Sequence, residues 1–169
     1  MPFFIFISGY FFNRDLPIGK YITKKVKNHL VPALLVNAAC GVLYVCMKKF
    51  GLISYGGTVT WKSFLVTPFT SGYQFYINVS LWFIFALFVI EVISCLMDRL
   101  ARHKADIGYL IFTFTLAIFC SIIAFYKYNS IQNLYLNAAV RLGFLMFFFW
   151  LGVCYRRYFE KVFKPWLNV

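Results

Sequence analysis

Two charged residues interrupt otherwise apolar stretches of this 169-residue chain: Glu91 within VSLWFIFALFVIEVISCLM, and Arg141 within LYLNAAVRLGFLMFFFW. An ionised group left alone in hydrocarbon costs several kcal/mol, so such a residue faces a partner or water. Arg141 follows Asn137 by four residues and Asn133 by eight, which places all three on one helix face. On their spans Glu91 and Arg141 differ in depth by roughly 7 Å at 1.5 Å per residue, a gap that a long Arg side chain partly closes. The spacing predicts a polar cavity lined by Arg141, Asn137 and Glu91, or by one of the two charges. The plainer alternative has Arg141 snorkelling outward and Glu91 protonated near the inner face.

Four further places carry residue types suited to a site. Ser8 and Gly9 form a small pair that lets helices approach closely, with Ser8 the candidate for lining a ligand. Trp82, at the outer end of its span, is either an interface anchor or a wall of the site. Lys24, Lys25 and Lys27 act as topology determinants or as a phosphate-binding run. His29 and His103 are the only histidines, and both fall on basic connections. Cys40, Cys46, Cys95, Cys120 and Cys154 lie in apolar runs without CxxC spacing, which argues for packing and against a metal or disulfide framework.

The elements that position these residues follow from composition. Hydrophobic residues make up 62% of the chain and charged residues 13%, too little polar surface for a domain that faces water. The apolar runs are unbroken and do not alternate with period two, which favours helices over a transmembrane barrel. A net charge of +12 would suggest nucleic acid in a soluble protein. Here the basic residues cluster between apolar runs, where they set topology and meet anionic membrane lipid, so no nucleic-acid partner is expected.

The reading is an all-α, polytopic transmembrane helix bundle with four full spans, at 30–47, 79–97, 107–126 and 134–154, and a partial one at 1–12. Residues 1–169 form a single domain. Residues 13–29 form the most basic loop, and 48–78 is expected to lie on the membrane surface with a short interfacial helix at 61–66. The sequon at Asn78 abuts a span and is read as chance. The five connections hold five, three, three, one and four Lys or Arg. Weighted by length, the first, third and fifth are the basic ones and are cytoplasmic. The opening run then travels from outside to inside and covers only about 18 Å of a core roughly 30 Å thick. Length and direction together lead to the expectation that a preceding helix is missing from this sequence.

The opening MPFFIFISGYFF resembles the acyltransferase 3 family of integral-membrane O-acyltransferases. So do the Lys-rich run into Leu30-Val31-Pro32, Leu81-Trp82-Phe83-Ile84, and Phe147-Phe148-Phe149-Trp150-Leu151-Gly152 with Tyr155-Arg156-Arg157. The likeness runs over nearly the whole chain, is closest to the fucose 4-O-acetylase-like branch, and places the chain at family helices two to six, with N-terminal and C-terminal helices of the full domain absent. It implies transfer of an acyl group, commonly acetyl from acetyl-CoA as co-substrate with no bound cofactor, to a hydroxyl of a sugar or cell-envelope glycan. The place implied is a bacterial inner membrane. It also implies a catalytic His on the first helix, before Met1, and so a chain inactive by itself. Neither His29 nor His103 matches that position, and Asn28-His29 stands where members usually carry an Arg. The rival reading is a non-enzymatic polytopic protein, such as a transporter or flippase-like factor, with Glu91 and Arg141 along a path. The paired repeats expected of most transporters are not visible.

Overall fold

The computed structural model describes residues 2–53, 60, 61, 67, 82–100, 106–127 and 134–160, and all its regular structure is helical. The helices are α1 (Pro2–Tyr10), α2 (Ile18–Lys25), α3 (Val31–Lys49), α4 (Trp82–Leu100), α5 (Asp106–Lys127) and α6 (Leu134–Cys154). A π-helical turn, Val26–Leu30, joins α2 to α3, and a second, Tyr155–Phe159, continues α6. The expected interfacial helix at 61–66 and the sequon lie almost wholly outside the described residues, as do His103 and Asn133.

Three stretches are long and apolar enough to cross a membrane: Ile18–Lys49, Asp106–Tyr126 and Tyr135–Phe159. Such helices make the chain a multi-pass membrane protein. α4 has the length, but Glu91, Asp98 and Arg99 fall within its nineteen residues and set it apart from the other three. Among the described residues three stretches therefore meet both length and apolarity; of the span read at 79–97, residues 79–81 lie outside the described residues.

The first basic connection also differs from expectation. Residues 18–30 are helical and run without a break into α3, giving one 32-residue helix. Pro17, with extended φ and ψ of −59° and 145°, starts it. Pro32 lies inside it, where its ring crowds the carbonyl four residues back, that of Asn28. The wider π turn covers Asn28, which gives that carbonyl room and keeps the helix continuous.

The packing centre is the crossing of α1 over α6, with α5 along the other side of α6. At Gly9 an added methyl would overlap the Phe149 carbonyl, whose carbon would be 2.8 Å away, and at Gly152 one would overlap Phe6 and lie 2.9 Å from the Tyr10 nitrogen. The two backbones thus touch directly, as small residues permit in membrane helices. Around the crossing Ile5, Phe12, Tyr21, Ile90, Met146, Phe149 and Trp150 form one buried cluster. Phe12 meets Phe149 and Tyr21 edge-on at 5.4 and 5.6 Å between ring centroids.

Outward faces are apolar: Leu35, Val42 and Leu43 on α3 and Ile111, Phe119 and Phe125 on α5 are all exposed. A surface of that kind is stable in hydrocarbon and not in water.

Candidate functional site

The buried face of α4 carries Phe85, Ala86, Ile90, Glu91, Ser94, Cys95 and Asp98. The three- and four-residue steps between them put Glu91, Ser94 and Asp98 in one polar line on the side that faces protein. Glu91 is wholly buried. Ser8 Oγ, from α1, donates to Glu91 Oε1. Lys25 Nζ, from α2, donates to the same oxygen at 2.5 Å. His29 Nδ1, from the π turn, stands 3.1 Å from Oε2. Three separate segments thus converge on one carboxylate.

Tyr21, Lys25 and His29 recur every four residues, and the stripe continues through the buried Ala33, Asn37 and Gly41. A four-residue stripe drifts by about 40° per step around an ideal α-helix of 3.6 residues per turn. The π turn between Lys25 and Leu30 is wider and offsets part of that drift, so Lys25 and His29 reach the same partner. Lys25 Nζ also sits 5.5 Å from the centroid of the Tyr21 ring.

A second polar group lies further along the same line of α4. Arg14 Nη1 is 2.7 Å from Asp106 Oδ1 and 3.5 Å from Asp98 Oδ1. Arg157 pairs with the other oxygen of Asp106. Arg99 Nη2 donates to the carbonyls of Leu16 and, at 2.8 Å, of Arg14. The short segment between α1 and α2 is in this way tied to α4, α5 and the end of α6. Next to it opens a cavity of about 690 Å³ lined by residues 9–15 with Val153, Arg156 and Arg157. Asp98 is seven residues from Glu91, about 10 Å along a helix, so the cavity lies toward the Leu100 end of α4 while Glu91 sits at its middle.

A buried polar cluster and an arginine-lined cavity thus sit inside a helical protein whose outer surface is apolar. A family model described as an acyltransferase domain matches residues 1–168. The chain belongs to the acyltransferase 3 family. No curated protein and no solved structure matches it.

Within this acyltransferase-family chain the residues that the sequence singles out separate into three groups. Ser8, Lys25 and Glu91 come together. Lys24 and Lys27 point away from them and are exposed, so of the three lysines only Lys25 turns inward. Arg141 and Trp82 form a pair of their own, with the guanidinium 5.4 Å from the ring centroid. Asn137, one turn before Arg141, is half-buried. Trp82 is nine residues from Glu91, about 13 Å along α4, so the two intramembrane charges occupy different places. Arg141→Ala is expected to cost only about 0.5–1 kcal/mol, the size of a partly exposed cation–π contact. Thermal melting in detergent checks this, and Arg141→Lys should recover most of the loss.

His29 is a member of the cluster that sequence reasoning passes over. A loop over 13–29 hides it, although the spacing Tyr21-Lys25-His29 is visible and predicts a shared face if the segment is helical. Arg14, Asp98, Asp106 and Arg157 read from the sequence as topology or turn residues, and no local pattern pairs them. Among the described residues no set of His, Cys, Asp and Glu is arranged to hold a metal ion.

Proposed function

We propose that this chain works as a membrane O-acyltransferase, moving an acetyl group from acetyl-CoA to a hydroxyl of a sugar or cell-envelope glycan, in a bacterial inner membrane. The observation that carries the reading is the family match over residues 1–168. The buried Glu91 cluster and the arginine-lined cavity at one end of the bundle support it. The cavity of about 690 Å³ lies within the roughly 300–1,000 Å³ range of small-molecule sites. Arg14, Arg156 and Arg157 on its wall, with exposed Lys24 and Lys27 on α2 and the turn after it, suit a polyphosphate donor. Trp82, Arg141 and Asn137, grouped at the other end of α4, are the candidates for acceptor contacts; Ser8 and Lys25 hold Glu91 in place between the two ends.

The reading is tested with membranes carrying the full chain, radiolabelled acetyl-CoA and isolated envelope glycan. Label is expected in the glycan as an ester that hydroxylamine releases. Arg156→Ala together with Lys24→Ala should raise the KM for acetyl-CoA several-fold with little change in kcat, since both act on binding. Because the resemblance implies a catalytic His that precedes Met1, the refuting result is the absence of both incorporation and saturable acetyl-CoA binding above membranes without the chain.

A further inference from the structure

Every arginine among the described residues except one reaches an oxygen. Arg14 pairs with Asp106 and Asp98, Arg99 donates to the carbonyls of Arg14 and Leu16, Arg156 donates to the Tyr10 carbonyl at 3.1 Å, and Arg157 pairs with Asp106. Arg141 meets only the Trp82 ring, 5.4 Å from its centroid, and makes no hydrogen bond or ion pair among the described residues. It is half-buried, six residues inside the apolar stretch that begins at Tyr135, about 9 Å along the helix. Its guanidinium carries five N–H donors in a planar fork, and a ring contact leaves the edge of that fork unused. Asn137, one turn earlier on the same face, is also half-buried and makes no hydrogen bond among the described residues.

The chain's own acids do not supply the missing anion. There are five. Glu91 is held by Ser8 and Lys25, and Asp98 and Asp106 face Arg14 at the Leu100 end of α4. Glu160 accepts from the Tyr10 hydroxyl at 2.9 Å, and Asp15 lies between the two residues whose carbonyls Arg99 holds. None of them is at the Trp82 end. A charge inside a membrane span that lacks a partner in its own chain marks a substrate path. A lipid phosphate would engage the guanidinium alone, whereas the Asn137 carboxamide beside it, able both to give and to accept, suits a ring that carries hydroxyls as well as a charge.

We propose that Arg141, with Asn137 and Trp82, selects an acceptor that carries an oxyanion: a saccharide bearing a carboxylate or a phosphate near the hydroxyl that receives the acyl group. This rests on the acyl-transfer reading and narrows its acceptor from any glycan to an acidic one. The guanidinium fork takes two oxygens of the anion side by side. Asn137 takes a neighbouring hydroxyl, and the Trp82 ring holds the guanidinium in place. These residues bind and orient the acceptor; no bond is made or broken on them.

The test is binding of isolated envelope glycan to the full chain in phosphatidylcholine vesicles at about 0.15 M salt, which screens the exposed lysines. Two forms of the glycan are compared, one native and one with its carboxylates amidated and its phosphates removed. The wild type is expected to bind the native form about tenfold more tightly, the low end for hydrogen bonds to a charged group. Arg141→Gln should remove that difference and leave the neutral form bound as before. Arg141→Lys should keep part of it, since the charge remains without the fork. Acetyl-CoA binding should be unchanged in both variants, which shows that they fold. Equal binding of the two forms by the wild type, or a difference that survives Arg141→Gln, overturns the inference. So does a lipid effect in its place: if phosphatidylglycerol raises the melting temperature of the wild type and not of Arg141→Gln, while glycan charge makes no difference, the anion belongs to a lipid. Absence of the charge preference with acetyl-CoA still bound refutes the inference alone. Absence of acetyl-CoA binding and of transfer refutes the acyl-transfer reading and the inference with it.

Discussion

Asp106→Ala is expected to cost about 3 kcal/mol of stability and to leave little of the protein in the membrane. Asp106 is buried, and its two oxygens serve Arg14 at 2.7 Å and Arg157. Removing one member of a buried ion pair typically costs 3–5 kcal/mol, because the charge left behind has lost its solvent and its partner. The lower figure is appropriate since Arg157 is 48% exposed and water can take over part of its solvation. Arg14 has less relief: it is 16% exposed, with its guanidinium over the rings of Phe12 and Trp150 at 5.9 Å from each centroid, and it keeps only the longer 3.5 Å contact to Asp98. Releasing Arg14 also loosens the segment whose carbonyls Arg99 holds, and with it the angle at which α1 enters α2. The check is the unfolding free energy in mixed micelles titrated with denaturing detergent. A loss below about 0.5 kcal/mol, the level of an ordinary surface change, would show that the network is not needed for folding. Asp106→Glu should fall between, since it keeps the charge but misplaces it by one methylene.

Gly9→Ala and Gly152→Ala are each expected to cost about 3 kcal/mol, the upper part of the range for overpacked cores. In both cases the added carbon meets backbone and not the end of a flexible side chain, so relief requires α1 and α6 to move apart. Gly143 offers a contrast: an added carbon there would meet the Cys120 sulfur at 2.7 Å and the Leu116 side chain, both able to rotate away, and Gly143→Ala should be milder. Because Gly9 and Gly152 lie on the same crossing, the double variant should lose less than the two singles summed; once the helices have separated, the second methyl meets nothing. Displacing α1 also carries Ser8 away from Glu91, so any acyl-transfer activity should fall along with stability. Equal stability of wild type and Gly152→Ala would mean that the helices do not cross this closely.

The helical, membrane-embedded character of the chain is legible in its residues for a simple physical reason. In hydrocarbon every backbone polar group must be satisfied within its own segment, so a long apolar run has few alternatives to a helix. The apolar run 134–154 and the helix Leu134–Cys154 coincide, and α5 extends the run 107–126 by one residue at each end, less than the uncertainty with which helix ends are defined. The role of Ser8-Gly9 in close approach is also readable, since small residues in an apolar run have few other uses there. Charge is misleading over 13–29. Five basic residues suggest a loop, but charge alone does not break a helix, and Lys has good helix propensity. With no Gly or Pro between Lys20 and Val31, nothing in the backbone stops the helix that starts after Pro17.

Sequence by itself determined that Glu91 needs a partner, because burying a carboxylate in an apolar helix is costly whatever surrounds it. It did not determine which partner. Arg141 is the nearest candidate in depth, yet tertiary packing stacks it on Trp82 and gives Glu91 to Ser8, Lys25 and His29. Depth along the membrane is a one-dimensional quantity that hydropathy can supply. Which helix faces which is two-dimensional, and it depends on the Gly9–Gly152 crossing and on a single π turn that aims Lys25 and His29 at the same carboxylate. The partners of Glu91 therefore emerge only once the helices have packed.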